Sequence, residues 1–321
     1  MTDRGDLRSQ LKQAIALIET GRIREAEDCL EAIAGKPDDG SLGPMTALGM
    51  PRKLHAARLK LAKRAEGRHL DRVGLQATLV PDPAILAPHG HFSVEERQRA
   101  AAAAREPVPR VLHQIWIGDA PPPPSTDAWA RHARRHGYDY RLWREDDLAS
   151  IGASEHPIFQ QRLAEGDFPG AVDVARYLVL ETEGGIYLDC DWYPASDRFS
   201  FHDLMPLIGL VALSEDIPRL THAGSLLLAN SFIAVPPAHP AMTKLLGVLE
   251  TVDEALKGAP AWWSTGPLIF TVVCRAGPVT LASPDLVAGS VARKTSLSEV
   301  EAWCERLPPD GAGLLLAWKS W

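Results

Sequence analysis

Cysteine is scarce in this chain: four residues, at 29, 190, 274 and 304, none in a CxxC pair and all far apart. That spacing excludes a disulfide framework or a zinc site and reads as reduced, cytosolic side chains. An excess of positive charge is also missing. With 34 Lys and Arg against 41 Asp and Glu the net charge is −7, so the surface cannot neutralise the phosphates of a nucleic acid as a general coat, and no nucleic-acid partner is expected. Long apolar runs are absent too. The first thirty residues carry charge throughout, which leaves no apolar stretch for export. The stretches from Leu204 to Leu213 and from Leu220 to Val235 are too short for a bilayer span or are broken by His222 and Asn230. The expectation is a cytoplasmic protein, free or peripheral to the inner face of a membrane. What remains is ordinary globular material, 321 residues of which 45% are apolar, enough for one large core or two smaller ones.

Aromatic residues are nearly missing from the front of the chain. All nine Trp and all five Tyr follow Glu106, and only Phe92 of the seven Phe precedes it, which divides the sequence into 1–106 and 107–321. In the front region Leu7, Leu11, Ala14, Ile15 and Ile18 recur at helical spacing, Gly21 interrupts, and Ile23, Ala26, Leu30 and Ile33 resume. The pattern predicts a helical hairpin like one tetratricopeptide unit, without a second period to stack on it. It is therefore an α-helical extension packed on its neighbour, or the first unit of an array. A second helix is expected over 52–72, where eight basic residues outweigh Glu66 and Asp71. Such a face suits peripheral contact with anionic lipid or a charged acceptor polymer, or is a solvated helix side. Pro81, Pro83, Pro88 and Gly90 predict an irregular connector before an Ala-rich helix from Val94 to Arg105.

From Pro107 short apolar runs alternate with helical patterns, the mark of an α/β domain. Val111 to Ile117 and Tyr138 to Trp143 read as strands, and Pro121 to Pro124 stop the first. Phe168 to Glu183 reads as a helix, with Pro169 in its first turn and Gly184 and Gly185 at its end. Ile186 to Cys190 then reads as a strand running into acid.

The segment Gly184-Gly185-Ile186-Tyr187-Leu188-Asp189-Cys190-Asp191 is the most informative in the chain. Alternation places Asp189 and Asp191 on one face and turns Cys190 inward. Two carboxylates at the end of a buried strand repel unless something positive sits between them. A hard divalent cation, Mn²⁺ or Mg²⁺, carrying a diphosphate fills that role. Upstream, Asp173 and Arg176 stand three apart on one helix, beside Tyr177. They form a surface ion pair, or an acid for sugar hydroxyls and a guanidinium for a phosphate or hydroxyl.

Together the residues resemble a known family. Val111-Leu-His113-Gln114-Ile-Trp116-Ile-Gly118, Ala171-Val-Asp173-Val-Ala-Arg176-Tyr177-Leu178 and the glycine-to-Asp191 segment resemble the Asp-X-Asp sugar transferases, which include Och1-like mannosyltransferases and the large clostridial glucosylating toxins. Asn230-Ser-Phe, His239-Pro240, Thr265-Gly266-Pro267 and Ser320-Trp321 follow in the family's order, so the likeness covers Pro107 to Trp321. It implies a GT-A, Rossmann-like α/β domain behind the helical front, binding a UDP- or GDP-sugar. It implies that Trp116 stacks on the base, that Asp173, Arg176 and Tyr177 hold the donor sugar, and that Asp189 reaches ribose or sugar hydroxyls. Asp191 would bind the metal with Asp189 and Ser320, while Ser320 and Trp321 close over the diphosphate. Asn230 and Gly266 would be donor contacts or loop-shaping residues, and Trp116 could equally be core. Many relatives carry histidines just before Ser-Trp, where this chain has Leu314 to Lys319; Lys319 meets phosphate there or faces solvent.

The implied activity is a metal-dependent glycosyl transfer to a hydroxyl of a glycan, a lipid-linked or a protein acceptor, with retention, of use in polysaccharide biosynthesis. Two rivals stand beside it. A haloacid-dehalogenase phosphohydrolase also ends a strand in Asp-X-Asp, but expects Thr or Val where Tyr193 stands and a later acidic pair for which only Glu215-Asp216 offers itself. A catalytically impaired sugar-nucleotide-binding domain on a helical scaffold is the other.

Overall fold

The periodic apolar residues of the front region become helices Arg4–Glu19 and Ile23–Ala34 in the computed structural model, which describes residues 4–66, 68–214, 227–308, 311 and 313–321. Gly21 takes a φ of +77° between the two helices, a conformation costly for any side chain with a Cβ. Such a hairpin cannot cover its own apolar face. Here helix Arg52–Arg64 covers it, burying Leu54, Ala57 and Leu61 against Leu7, Leu11, Ala14 and Leu30.

The basic segment differs from its expectation. Instead of one helix over 52–72 there are two, Arg52–Arg64 and His69–Thr78. Its cationic face is partly neutralised within the chain. Lys60 pairs with Glu19 at 2.5 Å and Arg68 with Glu27 at 2.7 Å. Among the described residues no helix is long and apolar enough to cross a membrane.

Beyond the front helices the chain builds a six-stranded sheet in the order β2-β1-β3-β6-β5-β7. The strands are β1 (Val111–Ile115), β2 (Asp139–Trp143), β3 (Gly185–Leu188), β5 (Val211–Ser214), β6 (Leu228–Val235) and β7 (Thr280–Leu281), with β4 (Trp192–Pro194) following β3 and leaving the sheet. β1, β2 and β3 run parallel, β6 runs against both β3 and β5, and β5 runs parallel to β7. This is the Rossmann-like α/β architecture that the resemblance implies, behind a helical front. β4 joins β9 (Leu315–Ala317) and β8 (Val287–Ser290) in a small second sheet.

Period-two alternation builds both layers of core. Tyr187, Ile233 and Val235 face helices Phe168–Glu183, Pro240–Ala255 and Pro267–Cys274. Ile186, Leu188, Phe232 and Ala234 face the opposite layer, with Trp129 and Phe201. Helix Phe168–Glu183 has the expected bounds, because Pro169 fits its first turn and Gly184 at φ +63° ends it. The strands are shorter than expected. β1 ends at Ile115 and β3 at Leu188, so both acids of the Asp-X-Asp lie past the last paired residue of β3.

Residues between Val80 and Glu106 pack into the sheet domain. Leu86, Phe92 and Ala100 join the core of Ile115 and Tyr187, Lys244 pairs with Glu96 at 3.1 Å, and Trp263 Nε1 donates to Leu79 O at 3.0 Å. A fragment starting at Pro107 would lose these contacts, whereas one starting near Leu79 would keep most of them. Phe92, only 3% exposed, should be felt most: Phe92→Ala is expected to lower the unfolding free energy by roughly 3 kcal/mol, as for other large core truncations. Denaturant melts check this, and a change within a few tenths of a kcal/mol would show that this segment merely lies on the surface.

Candidate active site

The acids are aimed by a buried histidine and two glycines. His113 on β1 accepts from Trp143 Nε1 at 3.0 Å through Nδ1 and so donates through Nε2 to Gly184 O at 2.8 Å. Burial pushes its imidazolium down to about 4, so the ring is neutral. Gly184 and Gly185 take φ of +63° and +101°, and a Cβ would stand 2.5 Å from Pro237 N on the first and 2.8 Å from His113 Nε2 on the second. Only glycine allows the helix to turn into β3 under that ring. Past β3, Asp189 N donates to Ser231 O at 2.9 Å, and Gln114 Nε2 donates to Asp189 O at 3.3 Å. Cys190 turns inward, its Sγ donating to Ile115 O at 3.3 Å, and burial pushes the thiol pKa far up. Trp318 N donates to Asp191 O at 2.7 Å. The far end of the chain thereby docks beside the Asp-X-Asp.

Arg176 is the centre of the charge network, and it is buried, not part of a surface pair. Its Nη2 lies 3.1 Å from Asp173 Oδ1 and 3.2 Å from Asp189 Oδ1. Nη1 donates to Asn230 O at 2.6 Å, and the guanidinium stands 4.7 Å above the Tyr187 ring. Tyr187 OH donates to Asp189 Oδ1 at 2.7 Å. Asp173 is held by Asn230 Nδ2 at 2.8 Å and Thr265 Oγ1 at 3.0 Å. Burial still lifts its carboxyl to about 6, against the opposing pull of Arg176. Tyr177 OH donates to Thr265 O at 2.8 Å and accepts from Asn230 Nδ2 at 3.0 Å. A Cβ on Gly266 would lie 3.0 Å from Trp262 Cα and 3.1 Å from Asp173 Oδ2, so a side chain there would push against the backbone and Asp173 by a few tenths of an ångström. Asp173, Tyr177, Asn230 and Gly266 thus form one buried cluster behind Arg176. Thr265, which had no assigned role in the sequence, belongs to it. No local pattern signals this, because Thr265 and Asp173 stand 92 residues apart and meet only through the fold.

In front of Arg176 opens a cleft of about 550 Å³, whose walls include Trp116, Phe168, Asp189, Asp191, Lys319 and Trp321. Trp116 is half-buried, with its ring edge-on to that of Trp321 at 5.0 Å. Lys319 is exposed yet lines the cleft, with Nζ 5.2 Å from the Trp321 ring. Ser320 is half-buried and is not a wall of the cleft. Leu314, Leu315 and Leu316 are core, which explains why no side chain from the stretch before Trp318 could reach a ligand. Glu215 and Asp216 lie outside the described residues.

Burial first, then repulsion from Asp189, pushes the Asp191 carboxyl up to about 6, although Lys319 and Arg176 oppose it. The donor set is small. No group of three or more His, Cys, Asp or Glu side chains is poised for a metal among the described residues. Two carboxylates nevertheless fit a Mg²⁺-like ion that keeps its other positions for phosphate oxygens and water.

The resemblance to the Asp-X-Asp sugar transferases holds in comparison with known proteins. Residues 125–204 match the family described as glycosyltransferase sugar-binding region containing DXD motif. Inositol phosphoceramide mannosyltransferase 3 of Schizosaccharomyces pombe is 26% identical over 173 residues, covering 52% of this chain and 44% of that protein. Mannosyl phosphorylinositol ceramide synthase SUR1 of Saccharomyces cerevisiae is 25% identical over 170 residues, 52% of this chain and 41% of its own. The chain thus spans less than half the length of these two relatives. Among solved structures, PaToxG glycosyltransferase superposes with a TM-score of 0.42 at 19% identity, over 60% of this chain and 75% of that one. Trp116, Asn230, Gly266, Ser320 and Trp321 fall outside the matched family segment.

The strain on Asp191 has a measurable sign. A carboxyl whose pKa rises from 3.8 to about 6 on folding favours the fold below the lower value and loses that contribution as pH climbs through the higher one. With chelator present, Asp191→Asn should therefore raise the melting temperature near pH 8 and change it little near pH 4. An equal effect at both would mean that the charge on Asp191 carries no penalty.

Proposed function

We propose that this chain is a metal-dependent glycosyltransferase that moves a sugar from a UDP- or GDP-sugar to a hydroxyl acceptor, with retention. The observation that carries the proposal is the meeting of Asp189 and Asp191, at the carboxyl end of β3, with Trp116, Lys319 and Trp321 in one cleft. The family match over 125–204 and the relatives named as mannosyl-transferring enzymes support it. Those relatives' names also favour a lipid-linked acceptor among the glycan, lipid-linked and protein candidates.

Asp191, with help from Asp189 and Ser320, would hold Mn²⁺ or Mg²⁺. Such an ion, when bound, neutralises the charge that develops on the departing nucleoside diphosphate. The Trp116 face stacks on the base, and Lys319 supplies a further positive charge to the phosphates. Arg176 and Asp189, locked to each other, present a fixed donor and a fixed acceptor, respectively, to the sugar hydroxyls at no cost of reorganisation. The bond between the anomeric carbon and the donor phosphate oxygen breaks while the acceptor oxygen bonds to that carbon. The leaving phosphate oxygen takes the acceptor's proton, so the step balances without a separate base. Trp321, already against Trp116, closes the mouth and limits hydrolysis by water.

Calorimetry with UDP and GDP, with and without Mn²⁺, tests the site. Mn²⁺ should strengthen binding by roughly tenfold or more, and Asp191→Ala should remove that increment while the protein stays folded. Affinities indifferent to Mn²⁺ would end the metal reading. Trp321→Ala should weaken binding or transfer by about an order of magnitude without lowering the melting temperature much, the signature of a lid rather than of core. Binding without transfer or hydrolysis of any donor would leave a sugar-nucleotide-binding protein instead of an enzyme.

A further inference from the structure

After β1 the chain runs Trp116-Ile117-Gly118-Asp119-Ala120, and all five residues line the cleft. The loop is tied down at its edges. Trp116 Nε1 donates to Ala120 O at 2.7 Å, Gly118 N donates to Glu145 Oε1, and Arg144 Nη2 donates to Gly118 O at 3.0 Å. The indole N–H is therefore spent within the loop, and Trp116 can offer a base its face but no donor. Phe168 stands close by, its ring carbons 3.8 Å from where a Cβ on Gly118 would be.

Asp119 is the polar side chain left over. It is exposed, it borders the cleft, and among the described residues its carboxylate has neither a hydrogen-bond nor an ion-pair partner. Exposed at the cleft wall, it is held by water alone in the free protein, and a ligand that covers it must bring hydrogen-bond donors to that spot. A carboxylate accepts and cannot donate, and its two oxygens match a pair of adjacent N–H groups.

Resting on the reading of the cleft as a nucleotide-sugar site, we propose that Asp119 reads the donor's base and selects guanine. Guanine alone among the common bases carries two neighbouring donors, N1–H and the N2 amino group, on one edge. Uracil carries a single N–H flanked by carbonyl oxygens that a carboxylate repels, while adenine and cytosine set an acceptor nitrogen beside their amino group. The donor is thus a GDP-sugar, with Trp116 binding any base by stacking and Asp119 choosing among them.

Calorimetry of the full chain with GDP, IDP and UDP, each with Mn²⁺, tests the assignment. IDP keeps N1–H and lacks the amino group, so affinity should fall in the order GDP, IDP, UDP. GDP should exceed UDP by roughly ten- to a hundredfold, the range for charge-assisted hydrogen bonds. Asp119→Asn, on an exposed loop, should weaken GDP about tenfold or more without weakening UDP, collapsing the ratio. UDP binding as tightly as GDP to the unaltered protein would overturn the assignment, and so would a GDP-to-UDP ratio unmoved in Asp119→Asn. If none of the three nucleotides binds the unaltered protein, the nucleotide-sugar reading of the cleft falls, and this inference with it.

Discussion

A single guanidinium, 4% exposed, lies between two acids from different parts of the chain. Burial opposes the charge of Arg176, yet Asp189, Tyr187 and Asp173 raise its pKa further still. Removing it would leave buried Asp173 and half-buried Asp189 without their shared counter-charge, so the helix that carries Arg176 and Asp173 and the strand that delivers Asp189 are bound to one geometry. Such a network is weak evidence for stability, since desolvation offsets much of the attraction. Its consequence is placement, because every member has a fixed partner.

The charge balance inside that network determines what the cleft can accept. One guanidinium meets two acids, and Asp191 stands just outside with only Lys319 and the distant pull of Arg176 in its favour. The residue of negative charge falls on Asp191, at the cleft wall and not in the interior.

The apolar end of the chain serves the same site from the other side. Leu315 and Leu316 are fully buried in β9, which pairs with β4 immediately after Asp191. Trp318 packs its ring against Tyr193 at 5.6 Å and anchors Nε1 on Thr295 O at 3.0 Å. That strand fixes where Lys319 and Trp321 emerge, so residues remote in sequence from Trp116 become its neighbours.

The sequence by itself determined the helical hairpin, the bounds of helix Phe168–Glu183, the α/β character after Pro107 and the acids of the Asp-X-Asp, because each rests on local periodicity, a capping residue or a contiguous motif. Burial of the Asp173–Arg176 pair was not legible: an i, i+3 pair looks the same on either face of a helix until the sheet chooses one. Thr265 joining Asp173, Lys319 facing the cleft, and Leu86, Phe92 and Ala100 entering the sheet core were likewise decided only by the tertiary structure. Each depends on contacts between segments far apart along the chain, and no local pattern encodes which distant surface will close over a given side chain.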